Sequence, residues 1–576
     1  MNSFKLVVAC GSLVVTGLMA VAEKPSKKPD PLPTMQPATE TLDLGMYSRI
    51  RDEGFNRSHV MDFAGALFDD IGPRLTGSPA MARANEWTRQ QLAALGCSNA
   101  HLESWGDFGM GWTQNGAFLD LVKPGPGVFV AQASPWSPPT AGVVTAEVVR
   151  MSGPSTEADF DKFKGKLKGK VVLLGLSASD PAIDPDKVPA MEHLDAAKLA
   201  GIGQYPLNGD MSGQAVLPKD HSLLLQFAQS IALKEKLSAF LANEGALAVL
   251  VPAGSGGVLH DDTGYALGWF VYRPEHKQLI PEEVIASEAW NRMDRLLENK
   301  VPVTVKLDID TTFSGDHQQG YNTIADIPGV DPQLKAEVVM VGGHLDSWIG
   351  GTGATDNGAG AIVAMEAVRI LQALHVKPRR TIRIGLWSGE EQGIFGSLGY
   401  VTNHLATFHY TDEKAWANLP EFIRPQVAAP TPKSDAGTFD AYFNMDNGTG
   451  KLLGVYVEGN QGIAGIFSQW MAPLADLGMT TISERNTGST DHVPFQQAGL
   501  PGFQFIQDPR DYESRTHHTS LDVYDHLSEP DLKQAAVVEA IFLYNAAMRD
   551  AMLPRPELPF DAPKKPIDGL YPEATK

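Results

Sequence analysis

Cysteine is scarce: Cys10 and Cys97 are the only two in 576 residues. A disulfide-stapled scaffold is therefore excluded. Cys97 ends a helical pattern and reads as a small buried thiol rather than a nucleophile. Positive charge is also short, with 47 Lys and Arg against 68 Asp and Glu and a net charge of −21. Nucleic acid is excluded as a partner, because binding it needs a basic surface. Long apolar runs are missing after the first 22 residues, so no later segment reads as a membrane span. The chain also lacks internal repeats, a GxxxxGK phosphate loop, a GxSxG nucleophile elbow and an HExxH helix. These absences remove several nucleotide-binding and hydrolase readings.

What is present divides the chain. Lys5 precedes an apolar or small-residue stretch, Leu6 to Ala22, that ends Ala20-Val21-Ala22. Residues 1–22 are expected to be a cleaved signal peptide, which implies a secreted or periplasmic protein with no membrane attachment after cleavage. Residues 23–44 are Pro- and Lys-rich and read as a linker. Helical spacing follows at 59–71 and 80–95, then a strand at 101–123 with Trp105 and Trp112 as core residues. Residues 130–310 hold short β-like runs between polar helices and read as a β-rich insertion, with little structure expected over 176–222. From 311 to 552 strands and helices alternate. That pattern predicts an α/β fold, a three-layer α/β/α arrangement around a mostly parallel sheet. Ligands in such sheets sit beyond the carboxyl ends of the strands. The tail, 553–576, is Pro-rich and expected to be irregular.

The chemistry-bearing residues fall at those strand ends. His344 and Asp346 leave an apolar run, Val338 to Val341, and Asp346 is spaced to hold the second ring nitrogen of His344. A glycine-rich turn then presents Asp356 in Gly353-Ala354-Thr355-Asp356-Asn357-Gly358. The adjacent acids Glu390 and Glu391 end the next strand, a disfavoured pairing unless cations or separate roles keep them apart. One division puts Glu391 on a metal and Glu390 against a water as general base. Asp446 ends a further strand. His517 and His518 come from a late loop, and His492 in Ser489-Thr490-Asp491-His492 reads as structural or substrate-facing. Carboxylates and imidazoles from four segments fit a two-metal site. Oxygen and nitrogen donors without sulfur favour zinc, with cobalt or manganese as substitutes.

Taken together, HLDS, GATDNGAG, WSGEEQGIFGS, NMDN, STDHVPF and HHTSLD resemble, in that order, the co-catalytic zinc exopeptidases. That family includes bacterial leucyl aminopeptidases, glutamate carboxypeptidase and carboxypeptidase Q. The resemblance implies two Zn2+ ions, with His344 and Asp446 on one, Glu391 and His518 on the other, and Asp356 bridging. It implies that Glu390 is the general base and acid, working on metal-activated water. It also implies a cis peptide between Asp356 and Asn357, with His517 as a neighbour or substrate contact. The domains would then be a peptidase domain over 45–129 and 311–552, interrupted at 130–310 by a protease-associated-like insertion. The expected function is hydrolysis of peptides by an aminopeptidase, with carboxypeptidase or dipeptidase as the alternative. Glutaminyl cyclase and an inactive receptor-like binding protein are the readings from other classes. A homodimer is left open. Recognition of a substrate carboxylate would need a cation such as Arg485, Arg510 or Arg515, and recognition of a free amine would need an acid.

Overall fold

The computed structural model describes residues 39–154, 156–175, 191–204, 222–252, 258–260, 269–411, 414–416 and 419–556, with Gln36 and Leu267. The signal peptide, most of the linker, most of 176–222 and the tail beyond residue 556 lie outside the described residues.

The chain is built around one 14-stranded sheet. Its centre is four mutually parallel strands, Val338–His344, Thr381–Trp387, Phe439–Asn444 and Gly502–Gln507. Each is buried along nearly its whole length, which is why they read as continuous apolar runs rather than alternating ones. Both edges of this group are antiparallel: Leu452–Tyr456 runs against Gly502–Gln507, and Thr304–Ile327 runs against Thr381–Trp387. The sheet is therefore mixed, not wholly parallel.

Helices cover both faces. On one face, Leu44–Asn56, Ala359–Ala373 and Glu529–Met548 enclose the largest apolar core. Residues 359–371 are buried without exception, so that helix has no solvent face and needs no amphipathic stripe. On the other face, Phe395–His404 and Val493–Gln497 pack Tyr400, Val401 and Phe495 against Trp387 and Tyr442. Cys97 is buried, and burial pushes its thiol up to about 11, in keeping with an inert residue.

Two long strands, Ser98–Lys123 and Thr304–Ile327, pair antiparallel and run out of this sheet. Residues 323–327 pair with the central strands, while 304–307 pair with Val144–Ser152 of the insertion. Trp112 is buried as expected, and Trp105 donates from Nε1 to Ser388 Oγ at 2.9 Å.

The β-rich expectation for 130–310 needs correction. Val144–Ser152, Val171–Gly175, Ala248–Pro252 and Glu282–Ile285 are parallel neighbours; helix Ser222–Asn243 lies between the second and third, and helix Ser287–Glu298 leads from the last into Thr304–Ile327. The segment is an α/β unit whose strands continue the main sheet. Its short strands are bounded by Gly and Pro, and their parallel pairing gives no local signal in the sequence. Farther along, Gln426–Pro432 pairs antiparallel with Ala406–Tyr410 in a separate two-stranded sheet.

Candidate metal centre

The carboxyl ends of the central strands and the loops that follow them converge. His344 is the last residue of its strand and is fully buried. Its Nε2 lies 3.4 Å from Asp356 Oδ1 and 3.5 Å from Asp446 Oδ1. The other oxygen of Asp356, Oδ2, lies 3.2 Å from His518 Nε2, and that same nitrogen is 2.9 Å from Glu391 Oε2. Asp356 thus turns one oxygen to each imidazole. The Asp356–Asn357 peptide is cis. The Asn357 side chain ties the strand ends together, donating to Met445 O at 2.8 Å and accepting from Gly360 N at 3.0 Å. A Cβ on Gly360 would lie 2.2 Å from Met445 O, so only glycine allows that approach.

Asp346 holds the Nδ1 of His344, but through its main-chain carbonyl, at 3.0 Å. Its carboxylate instead accepts from the main-chain N–H groups of Glu390 and Glu391, both at 3.3 Å, and from Thr76 Oγ1 at 3.0 Å. The role expected of the side chain is filled by the backbone. The chain turns after the strand, and the carboxylate is left to cap the turn that carries the two glutamates. Glu390 stands beside this group with Oε2 3.9 Å from His344 Nε2.

Among the described residues, two groups bring ligand atoms within 4.8 Å of one another: His344, Asp356 and Asp446, and Asp356, His517 and His518. His517 Nε2 lies 3.8 Å from Asp356 Oδ2, with its ring against Tyr512. His492 joins neither group. It is fully buried, with Nε2 3.4 Å from Glu458 Oε1, and burial lowers its imidazole to about 4.

The donor set suits cations. His344 Nε2, Asp356 Oδ2, Glu391 Oε1 and Asp446 Oδ1 are all buried without a hydrogen-bond partner. Such atoms are costly unless something positive completes them. Burial raises Glu390 well above the usual carboxylate range and Glu391 to about 8. Asp356 moves the other way: burial opposes its ionisation, but His344 and His518 outweigh it and hold the group well below the usual range. His344 is pulled down by burial, yet Asp446 and the neighbouring acids carry it well above its usual value. Metal ions at this position would hold a site this rich in buried acid charged.

Several supporting residues escaped the sequence reading. Arg74 is fully buried and donates to four carbonyls, Leu345 and Thr352 at 2.6 Å, Gly353 at 2.7 Å and Gly72 at 3.1 Å. It clasps the loop between His344 and Asp356 from behind. Asp522 accepts from Thr355 N at 2.5 Å and Asp356 N at 3.2 Å, and burial pushes its carboxyl up to about 7. Asp491 accepts from Ser397 Oγ at 2.5 Å, with burial raising it to about 8. Thr490 contacts Asp446 Oδ2 at 2.5 Å. The motifs STDH and HHTSLD contained three of these four. Arg74 lies 271 positions from the loop carbonyl it holds at Leu345 and gives no local signal.

Comparison with known proteins points the same way. Residues 322–542 match peptidase family M28. That segment resembles a family M28 peptidase domain. Beyond it, the chain is 25% identical to mouse (Mus musculus) carboxypeptidase Q over 524 residues, covering 90% of each chain. It is 31% identical to aminopeptidase YwaD of Bacillus subtilis over 216 residues, covering 37% of this chain and 42% of that protein. The crystal structure of a peptidase M28 precursor from Shewanella amazonensis shares the fold, with a TM-score of 0.60 and 21% identity, over 89% of this chain and 98% of that one. A zinc aminopeptidase from Bacillus subtilis matches at a TM-score of 0.51 and 20% identity, over 86% and 96%. The matched segment contains every residue of the two metal groups, and the chain is a zinc-dependent metallopeptidase. No described helix is long and apolar enough to cross a membrane.

Proposed function

We propose that this chain is a secreted di-zinc exopeptidase that removes residues from the amino end of peptides, with Glu390 as general base and acid. The observation that carries the reading is the pair of ligand groups sharing Asp356, with His344 Nε2, Asp356 Oδ2 and Asp446 Oδ1 buried and without a hydrogen-bond partner. His344 and Asp446 would hold one zinc, Glu391 and His518 the other, and Asp356 both. When bound, the two cations lower the pKa of water and polarise the scissile carbonyl.

This chain's own residues do the rest. Glu390 takes a proton at its carboxylate from the attacking water and returns it to the leaving amine. Its raised pKa, set by burial, suits a group that must hold a proton between those steps. The hydrogen bonds from Glu390 N and Glu391 N to Asp346 fix the main chain, so the two side chains diverge to separate tasks.

Amino-end recognition is favoured by how two of the arginines are used. Arg510 Nη1 lies 3.2 Å from Asp531, and Arg485 Nη2 donates to Gly201 O of the insertion at 3.1 Å. Carboxypeptidase action is the second reading, supported by the full-length likeness to carboxypeptidase Q and by Arg515, the third arginine of the set. Residues 130–310 act in this reading as an inserted unit that edges the cleft. Leu259 N donates to Ser520 Oγ at 3.1 Å, and Ser520 N donates to Leu259 O at 2.8 Å, two residues from His518.

The test is metal analysis combined with a peptide panel. Two zinc ions per chain and cleavage of peptides with a free amine and a blocked carboxyl are expected. Cleavage confined to peptides with a blocked amine and a free carboxyl would replace this reading with the carboxypeptidase one. One metal per chain and no hydrolysis would replace both.

A further inference from the structure

Successive side chains point to opposite faces of an extended chain. The rings of His517 and His518 nevertheless lie together, with centroids 4.0 Å apart and planes tilted by 39°. The backbone brings them there. His518 has a φ of 55°, in the left-handed region that a residue with a Cβ enters at a cost. His517 is held from its other side. Its N–H donates to Tyr512 O at 2.9 Å, and its ring packs on that of Tyr512 with centroids 4.8 Å apart. The turn before it is tied to the loop of Asp356, where Thr355 Oγ1 donates to Thr516 Oγ1 at 2.8 Å.

Both imidazoles approach one atom. Nε2 of His518 lies 3.2 Å from Asp356 Oδ2, and Nε2 of His517 lies 3.8 Å from the same oxygen. At 3.8 Å His517 is too far to hydrogen-bond to it. Two donors on one zinc, each about 2.0–2.2 Å from the ion, stand roughly 3–4 Å apart, so the spacing suits a shared cation. Asp356, His517 and His518 are accordingly one of the two groups whose ligand atoms lie within 4.8 Å of one another. Glu391 reaches that group through Oε2, 2.9 Å from His518 Nε2. The other group, His344, Asp356 and Asp446, offers three protein donors. Glu390 stands on that side, with Oε2 3.9 Å from His344 Nε2.

We infer that His517 is a fourth protein ligand of the zinc held by Asp356, Glu391 and His518, so that this ion is closed and the ion at His344 and Asp446 is the one open to substrate. The inference rests on the two-metal reading above. Four protein donors make a closed zinc site, whereas three leave a position for chemistry. The division matches the asymmetry of the centre, with the general base on the open side and the second imidazole on the closed side. It also gives the left-handed backbone at His518 a use, because only that turn brings both rings to one oxygen.

The experiment uses the full chain, with His517→Ala and His517→Phe beside the wild type. Phenylalanine keeps a ring on Tyr512 and removes the nitrogen donors, so it carries the test if the alanine variant fails to fold. Zinc affinities are read by chelator competition, and the coordination by visible absorption of the cobalt-loaded protein. In both variants one zinc should weaken about tenfold or more, with the other within about threefold of wild type, and the absorption of one cobalt should change. The His517 side chain is 17% exposed, so imidazole from solvent can enter its place. Millimolar imidazole should return the cobalt spectrum of His517→Ala towards that of the wild type. Zinc affinities within about twofold of wild type and an unchanged cobalt spectrum would overturn the inference and leave the two-metal reading standing. Equal weakening of both ions with no rescue by imidazole would also overturn it, assigning His517 to support of the turn. A wild-type chain that takes up one zinc would overturn the two-metal reading and this inference with it.

Discussion

Replacing Thr490 by Val removes one hydroxyl from a chain of hydrogen bonds whose direction is forced. Trp387 Nε1 can only donate, and it donates to Tyr442 Oη at 2.7 Å. Tyr442 therefore spends its single proton on Asn444 Oδ1 at 2.6 Å. That fixes the amide, whose Nδ2 donates to Gln504 Oε1 at 2.8 Å and Thr490 Oγ1 at 3.0 Å. With its lone pair so engaged, the Thr490 hydroxyl donates to Asp446 Oδ2 at 2.5 Å. Oδ1 of Asp446 is thereby left facing His344. Valine is nearly isosteric, so packing survives while two buried hydrogen bonds are lost. Leaving the Asn444 N–H and the Asp446 oxygen unsatisfied should cost the metal-free protein about 1–3 kcal/mol. Loss of a group that orients a ligand typically lowers metal affinity or activity about 10- to 100-fold. At about 1.4 kcal/mol per tenfold, that is roughly 1.4–2.8 kcal/mol of zinc binding. Chelator competition should show one zinc weakened by that amount and the other near its wild-type affinity. Thr490→Ser should restore it. Two zinc ions bound as tightly in Thr490→Val as in wild type would refute the reasoning.

Other expectations follow from the same geometry. Arg74→Met should destabilise the fold by about 3 kcal/mol or more, because four carbonyls lose a charged donor; Arg74→Lys should recover little, since an ammonium cannot reproduce the guanidinium fork. Denaturant melts read this directly. Glu282, in the insertion, is fully buried, and burial pushes its carboxyl up to about 8 from 4.5. The folded state then keeps a proton that the unfolded chain has lost across that window, so this contribution is complete below about 4.5 and disappears as pH rises towards 8. Thermal midpoints of the metal-free protein should fall over that range, and Glu282→Gln should flatten the fall.

The sequence showed the site more completely than it showed the fold around it. His344, Asp356, Glu390, Glu391, Asp446 and His518 sit at strand ends or in turns where glycine and paired charge are conspicuous, and the structure gathers these six. What stayed hidden depends on distant pairing. Arg74 acts on a loop far along the chain, and Thr490 matters only because Asn444 and Tyr442 set its proton. The carbonyl of Asp346 replaced its carboxylate because a side-chain spacing rule cannot foresee how the backbone turns after His344. The insertion was misread for a related reason. Its parallel strands are short, and their pairing with one another depends on contacts between segments far apart in the chain.

The central claim is that metal binding and proton transfer are separate tasks of adjacent residues, and Glu390→Gln tests it most directly. The variant should hold the same zinc content as wild type, because Glu391, His518, His344, Asp446 and Asp356 are untouched, while kcat falls by about 100-fold or more. Near-normal turnover with full zinc occupancy would contradict the account.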